Sequence, residues 1–163
     1  MKAAAKFLQG ENSKKEFISI ATKNAGYPVW DKSLIATDMG IENRTETVNE
    51  DGSAIVYIPF VLDGDSTTNA ILIVEERSTD TIYTTIWPQN YLQLGFDTTR
   101  AGWNSRQLFM LFTEFDHSIF NHKAFLVPDG RIFGADIHDT LLVTRQDPVS
   151  SSECLYKEII ILK

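Results

Sequence analysis

Three histidines and the acids around them are the residues of this chain whose types fit metal chemistry. His117, His122 and His138 fall late, beside Asp116, Asp136 and Asp139. A catalytic zinc site needs three protein ligands and often draws two histidines from one helical face at i and i+4. His117 and His122 are five positions apart, so on one continuous helix they diverge by about 140°. Asn121 is a natural helix stop, which would let the second imidazole turn back. His138 with Asp136 or Asp139 would then complete a metal-assisted hydrolase. A solvated helix C-terminus, where cations are favoured, accounts for His117 and His122 equally well. That structural explanation is preferred, so no catalytic residue, metal ligand or cofactor is assigned.

Other chemistries have weaker support. Asp116, His117 and Ser118 are adjacent, and neighbours on a helix point about 100° apart, so they make no orienter–base relay. No nucleophile elbow, dinucleotide fingerprint or P-loop occurs. Asp63-Gly64-Asp65-Ser66-Thr67-Thr68-Asn69 imitates the start of a calcium loop. It has Thr68 where the loop needs glycine and Val74 where it needs glutamate, so a polar hairpin tip is expected. Cys154, the only cysteine, sits in an apolar tail and is expected to be a buried, inert thiol.

Aromatic residues offer the better binding candidates. Trp30, Trp87, Tyr91, Phe96 and Trp103 bracket the polar link before the second helix, near Arg100 and Arg106. Such a cluster lines a sugar or peptide pocket when open and packs as core when closed. Tyr83 and Trp87 share one strand face, which becomes an aromatic platform if that face is wet.

The elements that must position these residues follow from periodicity and turn chemistry. Ser13 and Glu16 have capping-box spacing, and Phe17, Ile18 and Ala21 recur at helical period until Gly26 and Pro28, predicting a helix over 13–24. Residues 1–10 extend it or fray. An extended piece at 28–35 and a polar, turn-rich stretch at 38–52 come next. Three strands are expected at 54–62, 69–76 and 81–87, joined by short connections as an antiparallel meander. Pro59 lacks a ladder donor, so the first of these should be an edge strand or carry a bulge. Ile71, Leu72, Ile73 and Val74 imply cover on both faces of the second.

Leu108, Leu111, Phe112, Phe115 and Ile119 then mark a helix over 104–119. Pro128-Asp129-Gly130-Arg131 between apolar pairs signals a hairpin, and strands are expected at 141–143 and 155–162. The strands arrive in runs, so the fold class is α+β in a single domain spanning 1–163: N-terminal helix, antiparallel meander, second helix and further antiparallel strands. The helices are expected on one sheet face.

Charge narrows the partners. The chain carries 22 acidic and 15 basic side chains for a net −7. Residues 53–99 hold six acids and one base. Counterion release needs clustered Lys and Arg, so nucleic acid is not expected as a partner. No apolar run approaches the roughly 20 residues of a membrane helix.

Gly26-Tyr27-Pro28-Val29-Trp30-Asp31-Lys32-Ser33, followed by Ile55-Val56-Tyr57-Ile58-Pro59-Phe60, resembles a pattern in exported bacterial proteins and lipoproteins of unknown function. There, a helix leads to a P-x-W-x-x-A/S segment and then to a strand with a V-P-L-like step. The resemblance covers the first half of the chain. It implies a periplasmic or cell-surface setting over a cytoplasmic one, with the export signal outside this chain, and supplies no catalytic residues. The lipid-attachment cysteine of such lipoproteins is absent.

The leading expectation is a non-enzymatic binding or assembly domain for a protein or small ligand, with room for a homo-oligomer. Its binding candidates are Trp30, Tyr83, Trp87, Trp103, Arg100 and Arg106. The alternatives are the metal-assisted hydrolase and a small-molecule carrier.

Overall fold

A computed structural model describes residues 6, 9–10, 22–37, 40–42, 54–76, 81–88, 105–127, 129–133, 140–145 and 156–162. The chain divides into two compact units, residues 1–88 and 89–163. Both carry antiparallel sheet, and helix and strand are mixed as an α+β class requires.

In the first unit, residues 22–25 are helical. The rest of the helix expected over 13–24 lies outside the described residues. Gly26 ends the turn at φ +89° and donates its N–H to the Thr22 carbonyl at 3.0 Å. This is a left-handed C-cap, a conformation open to glycine because it has no Cβ.

Six strands follow: β1 (Tyr27–Pro28), β2 (Leu34–Thr37), β3 (Gly40–Glu42), β4 (Ala54–Val61), β5 (Ala70–Glu76) and β6 (Thr81–Ile86). The order β3-β2-β4-β5-β6 is antiparallel, and β1 also pairs with β4. The meander β4-β5-β6 is as expected. The polar 38–52 stretch nevertheless contains β3, which pairs with β2 from Ile35↔Glu42 to Thr37↔Gly40. A neighbouring strand can recruit residues of low strand propensity.

Pro59 lies in the central strand of this sheet rather than in an edge strand. In an antiparallel sheet the N–H and C=O of each residue point to one neighbour, alternating along the strand. The Pro59 carbonyl accepts from Val29 N–H at 2.9 Å, whereas the Phe60 carbonyl accepts from Asn69 N–H at 2.9 Å. Pro59 therefore faces the β1–β2 side, and no β5 bond is lost. On that side the partner chain leaves the ladder as a 3-10 turn, Trp30–Lys32, between β1 and β2. The missing donor is thus matched by an interruption in the partner strand.

Carried across the sheet, the same alternation turns residues 82, 84 and 86 of β6 toward β5 and the backbone of Thr81 and Thr85 outward. One face holds Ile35, Val56, Ile58, Phe60, Leu72 and Val74, with Ala25 packed among them. The other holds buried Leu34, Tyr57, Ile71, Ile73 and Ile86. Both faces of β5 are covered, as its unbroken apolar run requires.

The 62–69 connection is a hairpin tip held by Asn69. Its Oδ1 accepts from Leu62 N–H at 2.8 Å, and its Nδ2 donates to the Asp65 carboxylate at 2.7 Å. The segment that imitates a calcium loop thus has a structural explanation in its own hydrogen bonds.

The second unit contains α1 (Ser105–Phe120) and the sheet β7-β8-β9, formed by Ala124–Val127, Thr140–Arg145 and Tyr156–Leu162. Leu108, Leu111, Phe112 and Phe115 are buried as the periodicity predicts, and Phe109 joins them. Phe109 packs with Phe125, Val127, Ile132, Leu141 and Val143, and meets Phe133 edge-on at 5.7 Å.

Two expectations need correction. The Pro128–Arg131 segment does not turn a hairpin into a strand at Ile132–Phe133. Gly130–Phe133 is a 3-10 turn, and β7 pairs instead with β8. Asp129 is the cause: its carboxylate accepts the Arg131 N–H at 3.0 Å and binds the Arg131 guanidinium, while its carbonyl accepts from Ile132. An Asx-type turn competes well with a hairpin at such a site. The second correction is that the strands of the described residues form two sheets instead of one: Ala25 packs on the first, and α1 packs through Phe109 on the second.

Candidate functional site: an edge strand and exposed aromatics

The expected aromatic cluster separates into parts. Tyr83 and Trp87 pack half-buried against the face that holds Val56 and Leu72, so that face is core rather than a wet platform. Trp30 lies beyond β4, beside β1 and β2. Three strand spacings, about 14 Å, separate its turn from β6. The structure does not bring Trp30 to Tyr83 or Trp87. Arg106 is exposed and places its guanidinium 5.7 Å from the centre of the Phe133 ring, a cation–π contact within its own unit. Trp103 and Arg100 lie outside the described residues.

Trp30 is 39% exposed and Tyr27, three residues earlier, is 68% exposed. Tyr27 owes its position to Gly26: the left-handed turn feeds β1 directly onto the end of β4, pairing Tyr27 with Val61. In the sequence, the signal for Tyr27 is its place beside a helix-ending glycine.

β6 is the more informative surface. It closes one side of the sheet, and among the described residues its ladder partner is β5 alone. Its six positions, Thr-Ile-Tyr-Thr-Thr-Ile, contain no charge, proline or glycine. Ile82 is 40% exposed, and Thr84 is exposed beside it on the same face. Native sheets usually blunt an edge with lysine, proline or a bulge, and β6 carries none of these. Ile82 stands directly opposite the half-buried Glu75 of β5. Leu126, exposed on β7, is a second apolar position on a strand that, among the described residues, pairs on one side only, with β8.

Glu75 also acts on the interior. Burial, reinforced by the Glu75 carboxylate, raises the Tyr57 phenol above its ordinary value of 10.0. A group whose folded pKa is raised contributes stability below its unfolded pKa and loses it as pH climbs beyond. From pH 10 upward the unfolded chain releases the Tyr57 proton while the folded chain retains it. Stability should then fall by up to about 1.4 kcal/mol per pH unit from this group. Tyr57→Phe should remove that slope, read from urea midpoints of both proteins at pH 9, 10 and 11. Parallel midpoint curves would mean that Tyr57 ionises like a free tyrosine.

The histidines occupy a helix end. Asn121 caps α1 at φ 60° and donates to the His117 carbonyl at 2.8 Å. His117 Nδ1 lies 2.9 Å from the His122 carbonyl, so that nitrogen carries the proton and donates back across the cap. The His122 ring stacks on Phe120 at 5.6 Å. Among the described residues, no three His, Cys, Asp or Glu side chains converge on a metal-sized site. His138, Asp136 and Asp139 lie outside the described residues.

One contact lacked any sequence signal. Arg145, the last residue of β8, places Nη1 2.5 Å from Glu114 Oε2 of α1. Its side chain is 8% exposed and that of Glu114 is 26% exposed.

No family model matches this chain, and neither do any curated proteins or solved structures. Among the described residues, no helix is long and apolar enough to cross a membrane.

Proposed function

We propose that this chain is a non-enzymatic binding or assembly domain that docks an extended polypeptide along β6. One observation carries this reading: an uncharged, unbulged strand, at the end of the sheet among the described residues, with Ile82 and Thr84 exposed. Strand addition obtains affinity from main-chain hydrogen bonds and specificity from alternate side chains. The outward backbone of Thr81 and Thr85 offers the former, and the exposed Ile82–Thr84 row offers the latter. An exported setting is part of the proposal and rests on the resemblance of the Gly26–Phe60 region to exported proteins.

Affinity selection from a random decapeptide mixture tests the reading. The wild-type chain should enrich extended, β-branched sequences. Ile82→Lys, which places a charge on the edge without touching the core, should reduce that enrichment by tenfold or more. Equal recovery with both proteins would overturn the docking reading. Native mass spectrometry with and without chelator tests the hydrolase alternative on the same sample: a chelator-sensitive metal mass would favour His117, His122 and His138.

A further inference from the structure

We draw no further inference here: the strongest candidate, the apolar edge of the second sheet where Ala124 and Leu126 of β7 are exposed and, among the described residues, β8 is the one ladder partner, carries nothing because nothing in the structure shows what covers it.

Discussion

Replacing Gly26 with alanine should lower the melting transition of residues 1–88 by roughly 12 °C or more, whereas the same change at Gly64 should cost about 5 °C. Both glycines have nearly the same backbone, φ +89° and +87°, so both substitutions incur the left-handed penalty of about 1–2 kcal/mol. Their surroundings differ. A Cβ at Gly64 meets nothing, while one at Gly26 overlaps the Val61 carbonyl and the Leu62 nitrogen. Those atoms are backbone at the end of β4, where Tyr27 pairs with Val61. No rotamer change relieves the overlap, so β1 must separate from β4 and the helix cap must shift with it. The combined loss should reach about 3 kcal/mol, a large share of an ordinary domain's stability. Differential scanning calorimetry of the two variants isolates the close approach from the backbone conformation. Equal losses at the two positions would show that the β4 backbone does not press on Gly26.

Gly26 also shows which parts of the fold were legible in the sequence. That it ends a helix followed from its position after an apolar stripe, and the described turn at 22–25 with its left-handed cap agrees. That it must remain a glycine because β4 returns to lie against it is a long-range fact, invisible to any local window. The same division runs through the chain. The α1 stripe and the β4-β5-β6 meander are periodic and local, and they were readable. β3 exists because β2 pairs with it, and its residues carry no strand signal of their own. Asp129 converts an expected hairpin into a 3-10 turn through side-chain hydrogen bonds that compete with the hairpin.

At the candidate site, alternation placed Ile82 and Thr84 on one side of β6 and Tyr83 and Trp87 on the other, and the register agrees. Alternation alone did not say which side was wet. That depended on which side packs against Val56 and Leu72: the aromatic face is core, and the exposed positions are Ile82 and Thr84. Sequence order likewise suggested that Trp30 and Trp87 bracket one region, while the interposed strands keep them apart.

The Glu114–Arg145 pair lay furthest from view, since the two residues are 31 positions apart and fit no helical or strand spacing. It should nevertheless dominate the stability of residues 89–163. Arg145 is almost fully enclosed, and among the described residues its Nε has no hydrogen-bond partner and the Glu114 carboxylate on Nη1 is its one counter-charge. Removing one partner of a buried pair leaves an uncompensated charge and typically costs about 3–5 kcal/mol. Glu114→Ala should therefore destabilise this unit by about 3 kcal/mol or more. Arg145→Met should cost less, about 1 kcal/mol, because the more exposed Glu114 can be rehydrated and methionine fills much of the vacated volume. The double variant carries no stranded charge and should recover about 2 kcal/mol relative to Glu114→Ala. Calorimetry of the four proteins gives the coupling directly as a double-mutant cycle. The backbone bond from Arg145 N–H to the Lys123 carbonyl persists in every variant, so the β7–β8 ladder is constant across the cycle. Additive losses would mean that the two side chains are solvated separately, and the recovery in the double variant is the result that distinguishes a buried charge from a lost contact.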